Sequence, residues 1–237
     1  MSQEPESVTQ AAQPTFSIGH ALNEGMRLSN GAKWPIFKAL LLSLLVMIPA
    51  GLIFQVFPGI LQERNPYSNL AMFLGIAGQV AYIFFTNPLT AAFTLIGAER
   101  AAGRDVRPRQ VFDYYHRAWP LLLLYIVMVV LMFLGFLALI IPGIYLSVAY
   151  IFAMPLSADK GLSFWQALET SRKTVTKHWF AMFGFILLLL LMNLAALLAF
   201  GVGLIWTIPW SICAVGVAYR QLFGYEADDS EQESLQA

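Results

Sequence analysis

Long apolar runs alternate along this chain with short polar stretches, and the two follow different rules. Leu121 to Ile141 holds no charged or amide residue, and Phe183 to Leu198 holds one, Asn193. A soluble helical bundle would carry polar stripes at a period of 3.6 residues through such runs. Six transmembrane helices are therefore predicted, at about 34–57, 71–97, 120–141, 143–159, 180–200 and 203–223. All but the shorter fourth meet the roughly 20 apolar residues that cross about 30 Å of hydrocarbon. Ile141-Pro142-Gly143 and Phe200-Gly201-Val202-Gly203 supply tight reversals within pairs of spans.

The stretches before the spans have helical amphipathicity. In 163–179, Phe164, Leu168, Ser171, Val175 and Trp179 share one face, and Gln166, Glu169, Arg172, Lys173, Thr176 and Lys177 the other. Ser163 with Gln166 is a capping-box pattern that starts this helix. In 108–119, Pro108 suits a first helical position. Val111, Phe112, Tyr115 and Trp119 face one way there, and Arg109, Asp113, His116 and Arg117 the other. In 17–33 the apolar face is Ile18, Leu22 and Met26. Trp34, Trp119 and Trp179 each open an apolar run, and basic amphipathic helices ending in Trp fit the headgroup layer. Trp34, Arg109, Trp119, Arg172, Lys173, Lys177 and Trp179 are thus candidate membrane-interface residues. The same cations also serve as topology signals or as a docking face for a protein partner.

A unit repeats through this pattern. Val80-Ala81-Tyr82-Ile83-Phe84 returns as Val148-Ala149-Tyr150-Ile151-Phe152, each followed by a Pro-Leu-hydroxyl step, Pro88-Leu89-Thr90 and Pro155-Leu156-Ser157. Pro209-Trp210-Ser211 is a third version in the last span. Self-similarity of this kind sets architecture. The expected fold is all-α: six transmembrane helices as three parallel-repeat hairpins, about 16–103, 104–160 and 161–225, each preceded by a cytoplasmic interfacial helix. Residues 1–15 and 226–237, where Glu and Asp outnumber bases, read as acidic tails outside that single domain.

Composition agrees. The chain of 237 residues is 58% hydrophobic and 12% charged, about half the charge of a soluble domain. Of its 14 Lys and Arg, all but Arg64 lie on the side of the segments that precede the hairpins. The positive-inside rule then places both termini in the cytoplasm, in a bacterial inner membrane. No basic stretch followed by an apolar core opens the chain, so the first span is expected to stay as an uncleaved anchor.

Chemistry is sparse. His20, His116 and His178 sit in separate segments without metal-ligand spacing. Cys213 is the one cysteine and sits in an apolar run, and neither a cofactor motif nor a catalytic constellation is present. Asn87, Pro88, Thr90, Pro155, Ser157, Asp159, Pro209 and Ser211 are the candidate intramembrane polar and kink residues. Either the hydroxyls satisfy carbonyls freed by proline, or the kinked helices open a central cavity, with Asn87 its best lining position. Gln79, Asn87 and Asn193 fit interhelical hydrogen bonds.

Pro142-Gly143-Ile144-Tyr145, Pro155-Leu156-Ser157-Ala158-Asp159-Lys160-Gly161 and Phe164-Trp165-Gln166-Ala167-Leu168-Glu169-Thr170-Ser171-Arg172 resemble a signature of bacterial six-span membrane proteins. Those are similar to the membrane domain attached to some glycerophosphodiester phosphodiesterases. The resemblance implies a fold and a membrane location. It carries over no catalytic residue, since the chain has no room for a barrel of about 250 residues. The expectation is a non-enzymatic protein that contacts membrane lipids and a protein partner at its cytoplasmic face. The alternative is a small-solute transporter or channel. An enzyme acting on lipid would need a headgroup-level carboxylate, for which Asp159 with Glu99 is the candidate pair.

Overall fold

The computed structural model describes residues 16–65 and 68–224, and the two terminal tails lie outside them. The described residues are helical, with no strand. They form α1 (Ile18–Gly51), a π-helical turn (Leu52–Val56), α2 (Phe57–Arg64), α3 (Asn69–Ala101), a 3-10 segment (Pro108–Arg117), α4 (Ala118–Ala138), α5 (Ile140–Ala149), α6 (Ala153–Lys160), α7 (Phe164–Thr176), α8 (Trp179–Leu198) and α9 (Leu204–Phe223).

Five of these stretches are long and apolar enough to cross a membrane: Ile18–Arg64, Asn69–Ala101, Pro108–Ala138, Ile140–Lys160 and Trp179–Leu198. Only 11% of the most apolar window of the first is buried inside the protein. Phe180, Leu198 and Phe200 are 85%, 77% and 98% exposed. Surface this apolar calls for a lipid solvent. The sixth expected span, α9, is as long as α8 but falls below the same apolarity. It carries Thr207, Pro209, Ser211, Tyr219, Arg220 and Gln221 and packs between α1 and α3, which shield it from the surroundings.

The packing directions follow from close pairs. Leu28 meets Arg100 and Gly51 meets Tyr82, so α1 and α3 run antiparallel. His20 meets Gln221 and Gly25 meets Ala214, so α9 opposes α1. Gly97 meets Ile212 and Ala101 meets Arg220, so α9 runs with α3. Gly135 against Gly143 makes α4 and α5 a tight pair, and Asn193 against Ser211 does the same for α8 and α9.

Several local expectations need correction. No boundary falls at Trp34-Pro35: α1 runs through both residues, and its buried face is Ala21, Gly25, Ser29, Ala32, Ile36, Ala39 and Ser43. Of the apolar face Ile18, Leu22 and Met26, the first two are half-buried against the core and Met26 is 52% exposed. Helices in lipid gain little by burying large side chains, which lipid solvates equally well, and gain more from backbones brought close across small residues. The segment 108–117 is a 3-10 helix. The reversal expected at Ile141-Pro142-Gly143 falls earlier, at extended Leu139, and Pro142 sits in the first turn of α5, where its missing N–H has no partner to lose. The fourth span is broken at Tyr150–Phe152 into α5 and α6. The reversal at 200–203 forms as expected, with Phe200 and Gly201 at positive φ.

Two clusters of buried side chains hold the elements. One centres on Leu95, Leu121, Leu124, Phe152, Leu156, Leu168, Phe185 and Tyr219. The other joins α1, α3, the 3-10 segment and α9 through Ile36, Leu89, Ile96, Val111 and Cys213.

Candidate functional site

A groove at the basic end lies between α1 and the 3-10 segment, with a volume of about 770 Å3. Its α1 wall is Lys38, Leu41, Leu42 and Leu45. These stand at i, i+3, i+4 and i+7, one face of a helix. Its other wall is Arg107, Pro108, Arg109, Gln110 and Asp113. Three cations and one carboxylate therefore ring a leucine floor.

The 3-10 wall is held in place by its own chemistry. Pro108 starts the turn with a fixed φ. The Gln110 Oε1 accepts the Arg107 N–H at 2.8 Å, and its amide nitrogen donates to Glu99 at the end of α3. Val106 and Val111 are buried. Further along, the Tyr115 hydroxyl donates to the Phe85 carbonyl at 2.7 Å, which ties the segment to α3. Lys38, Arg107 and Arg109 are exposed. Among the described residues no acidic side chain forms an ion pair with any of them.

A second groove, of about 620 Å3, is almost wholly apolar and lies between α4 and the start of α7, lined by Trp119, Leu122, Leu123, Ile126 and Phe164. At the same end of the molecule, polar links tie the elements together. Lys160 Nζ donates to the Phe223 carbonyl at 2.7 Å, Arg220 donates to the Ala101 carbonyl at 2.6 Å, and the Tyr219 hydroxyl donates to Asp159 at 2.6 Å.

The candidate interface residues divide. Arg109 lines the basic groove. Trp34 and Trp119 are 75% and 73% exposed, as an interfacial Trp needs to be. Trp179 is half-buried instead: its indole donates to the Tyr145 carbonyl at 3.3 Å and stacks on Phe183. The face of α7 read from the sequence is the one that is buried, at Leu168, Ser171 and Val175. It packs on protein, however, not on open lipid. Ser171 donates to the Ala149 carbonyl at 2.7 Å, and Thr176 meets the Tyr145 hydroxyl at 2.7 Å. The Gln166 Oε1 accepts the Ser163 N–H at 3.2 Å, as the capping pattern required. On the outer face, Glu169 takes two bonds from Arg172, both 2.9 Å, and lies 3.2 Å from Lys173. Those bonds, with the charges behind them, hold the Glu169 carboxyl down to about 2 and raise the Arg172 guanidinium above its usual range. Lys177 is exposed.

The kink residues are not gathered into one cavity. Pro88 and Pro155 are buried within α3 and α6, and Pro209 within α9. The hydroxyls do not cap the carbonyls that proline frees, which lie four residues before it. Thr90 donates to the Asn87 carbonyl at 2.8 Å, Ser157 to Leu162 at 3.0 Å, and Ser211 to Thr207 at 2.7 Å. Asn193 makes the expected interhelical bond, to Ser211 at 2.8 Å. Asn87 is 5% exposed, and its Nδ2 has no acceptor.

Lys38 and Arg107 entered the sequence reading only as topology charges. The signal for Lys38 was available in its spacing to Leu41, Leu42 and Leu45. The signal for Arg107 was not, because no local pattern says which helix a loop will cover. Comparison with known proteins returned no matching family model, no matching curated protein and no matching solved structure.

Proposed function

We propose that this chain is a non-enzymatic integral membrane protein that holds an anionic phospholipid in the groove between α1 and the 3-10 segment. The lipid phosphate sits among Lys38, Arg107 and Arg109, and an acyl chain runs down Leu41, Leu42 and Leu45. The observation that carries this reading is the ordering of the α1 wall: a cation first, then only leucine for about 10 Å along the helix at 1.5 Å per residue. A phospholipid has the same sequence of chemistry along its length. Each Lys or Arg near an anionic surface contributes about 1 kcal/mol, so three of them, opposed by Asp113, favour an anionic over a zwitterionic headgroup by about tenfold or more.

This role is structural or regulatory, and it goes with the six-span topology. In that topology three hairpins point the same way, both termini are on the basic, cytoplasmic side, and α9 is the sixth span. The shielding of α9 by α1 and α3 supports this, because a helix enclosed by protein needs less apolarity than one facing lipid. A protein partner fits the remaining exposed cations of the same end.

The test is lipid binding by the purified full chain, delipidated in detergent and measured by native mass spectrometry. Phosphatidylglycerol should bind about tenfold more tightly than phosphatidylcholine, and the triple change Lys38→Gln, Arg107→Gln, Arg109→Gln should erase the difference. Equal affinity of the unaltered protein for both lipids overturns the reading. Transport of a small solute is the second reading, and it rests on the unpartnered amide of buried Asn87.

A further inference from the structure

The basic groove continues past Arg107. A cavity of about 410 Å3 adjoins it, sharing Arg107 and Gln110, and its other walls are Glu99, Arg104 and Asp105. The loop that leaves α3 forms this annex. Gly103 turns the loop at a φ of 83°, and the Arg104 N–H donates back to the Glu99 carbonyl at 3.1 Å. The Arg100 guanidinium braces it. Its Nε reaches the Leu28 carbonyl at 3.5 Å, and its Nη1 lies 3.5 Å from both the Arg104 carbonyl and the Asp105 Oδ1. This guanidinium fits against α1 because residue 31 is glycine: a Cβ there would lie 2.5 Å from Nη2. Gln110 closes the other side through its bonds to Glu99 and to the Arg107 N–H. Arg100 thus sets the annex at the level of Gly31, about 10 Å along α1 from Lys38 toward the basic end. The leucines lie on the other side of Lys38. Lys38 leans toward the N-terminus of its helix, as helical side chains do, and covers part of that distance. Leucine wall, cations and annex follow one another as acyl chain, phosphate and headgroup alcohol do in a phospholipid.

The charges of the annex say which alcohol fits. Its lining carries two carboxylates, Glu99 and Asp105, and two guanidiniums, Arg104 and Arg107, so formal charge cancels. A second phosphate gains little there, and so does an ammonium. Hydroxyls suit it: each donates to a carboxylate oxygen and accepts from a guanidinium N–H, and both groups offer more sites than one partner fills. The Asp105 carboxylate is fully exposed, whereas the Arg100 beside it is 21% exposed, so Asp105 is the acceptor within reach of a ligand. We infer that the annex reads headgroup hydroxyls, with Asp105 accepting from them. The groove then selects a phospholipid with a polyol headgroup over one of equal charge without hydroxyls. The inference rests on the reading of the basic groove as a lipid site and names the headgroup class that site takes.

The experiment compares phosphatidylglycerol, phosphatidylpropanol and phosphatidylcholine of identical acyl chains. The first two carry the same charge and the same carbon skeleton in the headgroup, and differ only in the hydroxyls. Binding to the delipidated full chain in detergent is measured by native mass spectrometry. Phosphatidylglycerol should bind about fivefold to tenfold more tightly than phosphatidylpropanol, the effect of one hydrogen bond to a charged group. In Asp105→Ala the two should bind alike. Removing that carboxylate changes the charge felt by both lipids equally, so their ratio isolates the hydroxyls, and binding of phosphatidylpropanol by the variant shows that its groove is intact. Equal binding of phosphatidylglycerol and phosphatidylpropanol by the unaltered protein, both tighter than phosphatidylcholine, overturns the inference and leaves the groove reading standing. Equal binding of all three overturns both. A preference for phosphatidylglycerol that survives Asp105→Ala also overturns the inference, because the hydroxyls are then read elsewhere.

Discussion

Adding one methyl group at position 216 tests whether small-residue packing holds the bundle together. In Gly216→Ala the new Cβ would lie 2.0 Å from the Gly97 carbonyl carbon, 2.3 Å from the Ala98 nitrogen and 2.5 Å from the Gly97 Cα. All three are backbone atoms in the middle of helix packing, so no rotamer change relieves the overlap. Helices α3 and α9 must separate by more than 1 Å to restore ordinary contact. A radial gap of 0.5–1 Å already forfeits a quarter to a half of each dispersion contact along a seam, and overpacking a tight core costs about 1–3 kcal/mol. Because rigid backbone meets rigid backbone, we expect the upper end, about 3 kcal/mol. Gly184→Ala is the matched control: its Cβ would find its nearest atom, the Ile18 Cδ1, at 3.8 Å. That change should be neutral or stabilising by up to about 1 kcal/mol, since alanine loses less backbone entropy in a helix. The assay is built into the chain. Cys213 is its one cysteine, it is fully buried, and it lies on α9 beside the seam. Its reaction with maleimide during thermal or denaturant unfolding reports opening of α9. Gly216→Ala should expose Cys213 at a lower temperature than the unaltered protein, and Gly184→Ala should not. Unchanged protection in Gly216→Ala would refute the close-packed α3–α9 seam.

Reporter fusions after residue 15, near Arg104, near Lys173 and after Tyr225 should all report cytoplasm, and one near Arg64 the opposite side; an external signal from either terminus breaks the six-span topology. The Glu169 carboxyl, held at about 2 by Arg172 and Lys173, has a folded value below the usual carboxylate range, so its ion pairs persist above about pH 4.5 and are lost as pH falls toward 2. In Arg172→Gln with Lys173→Gln, a carbon-detected NMR titration should place Glu169 near 4.5, and a value still near 2 shows that another donor sets it. Asn87→Leu should alter stability by about 1 kcal/mol or less, because its Nδ2 has no bond to lose; solute flux by reconstituted protein that disappears in this variant at equal abundance would favour the transport reading.

What could be read in the sequence was local. The buried face of α7 follows from side chains within one helix, and so does its Ser163–Gln166 cap. The reversal at Phe200–Gly201 takes two consecutive residues to positive φ, Phe200 and Gly201, and the second is the glycine that the local sequence offers. The lipid-requiring character of the long helices depends on composition alone. Where the reading went astray, two distant segments had to be placed together. Trp34-Pro35 looked like the start of a span, but tryptophan and proline mark an interface without ending a helix. The residues before them stay helical because Ala21, Gly25, Ser29 and Ala32 have α9 and α3 to pack against. The small-residue repeat was visible at steps of four and three, yet it was read for large apolar side chains, the rule for water and not for lipid. The basic groove needs Lys38 of α1 and Arg107 of a loop that follows α3. Nothing in either segment names the other. They meet because Tyr115 reaches the Phe85 carbonyl and Gln110 reaches Glu99, two side-chain bonds that fasten the 3-10 segment to α3. A cation reads as a topology signal when seen alone. Once the 3-10 segment sets two arginines opposite Lys38, at the head of a leucine wall, the same charge becomes part of the rim of a groove, which is what the proposed phosphate site rests on.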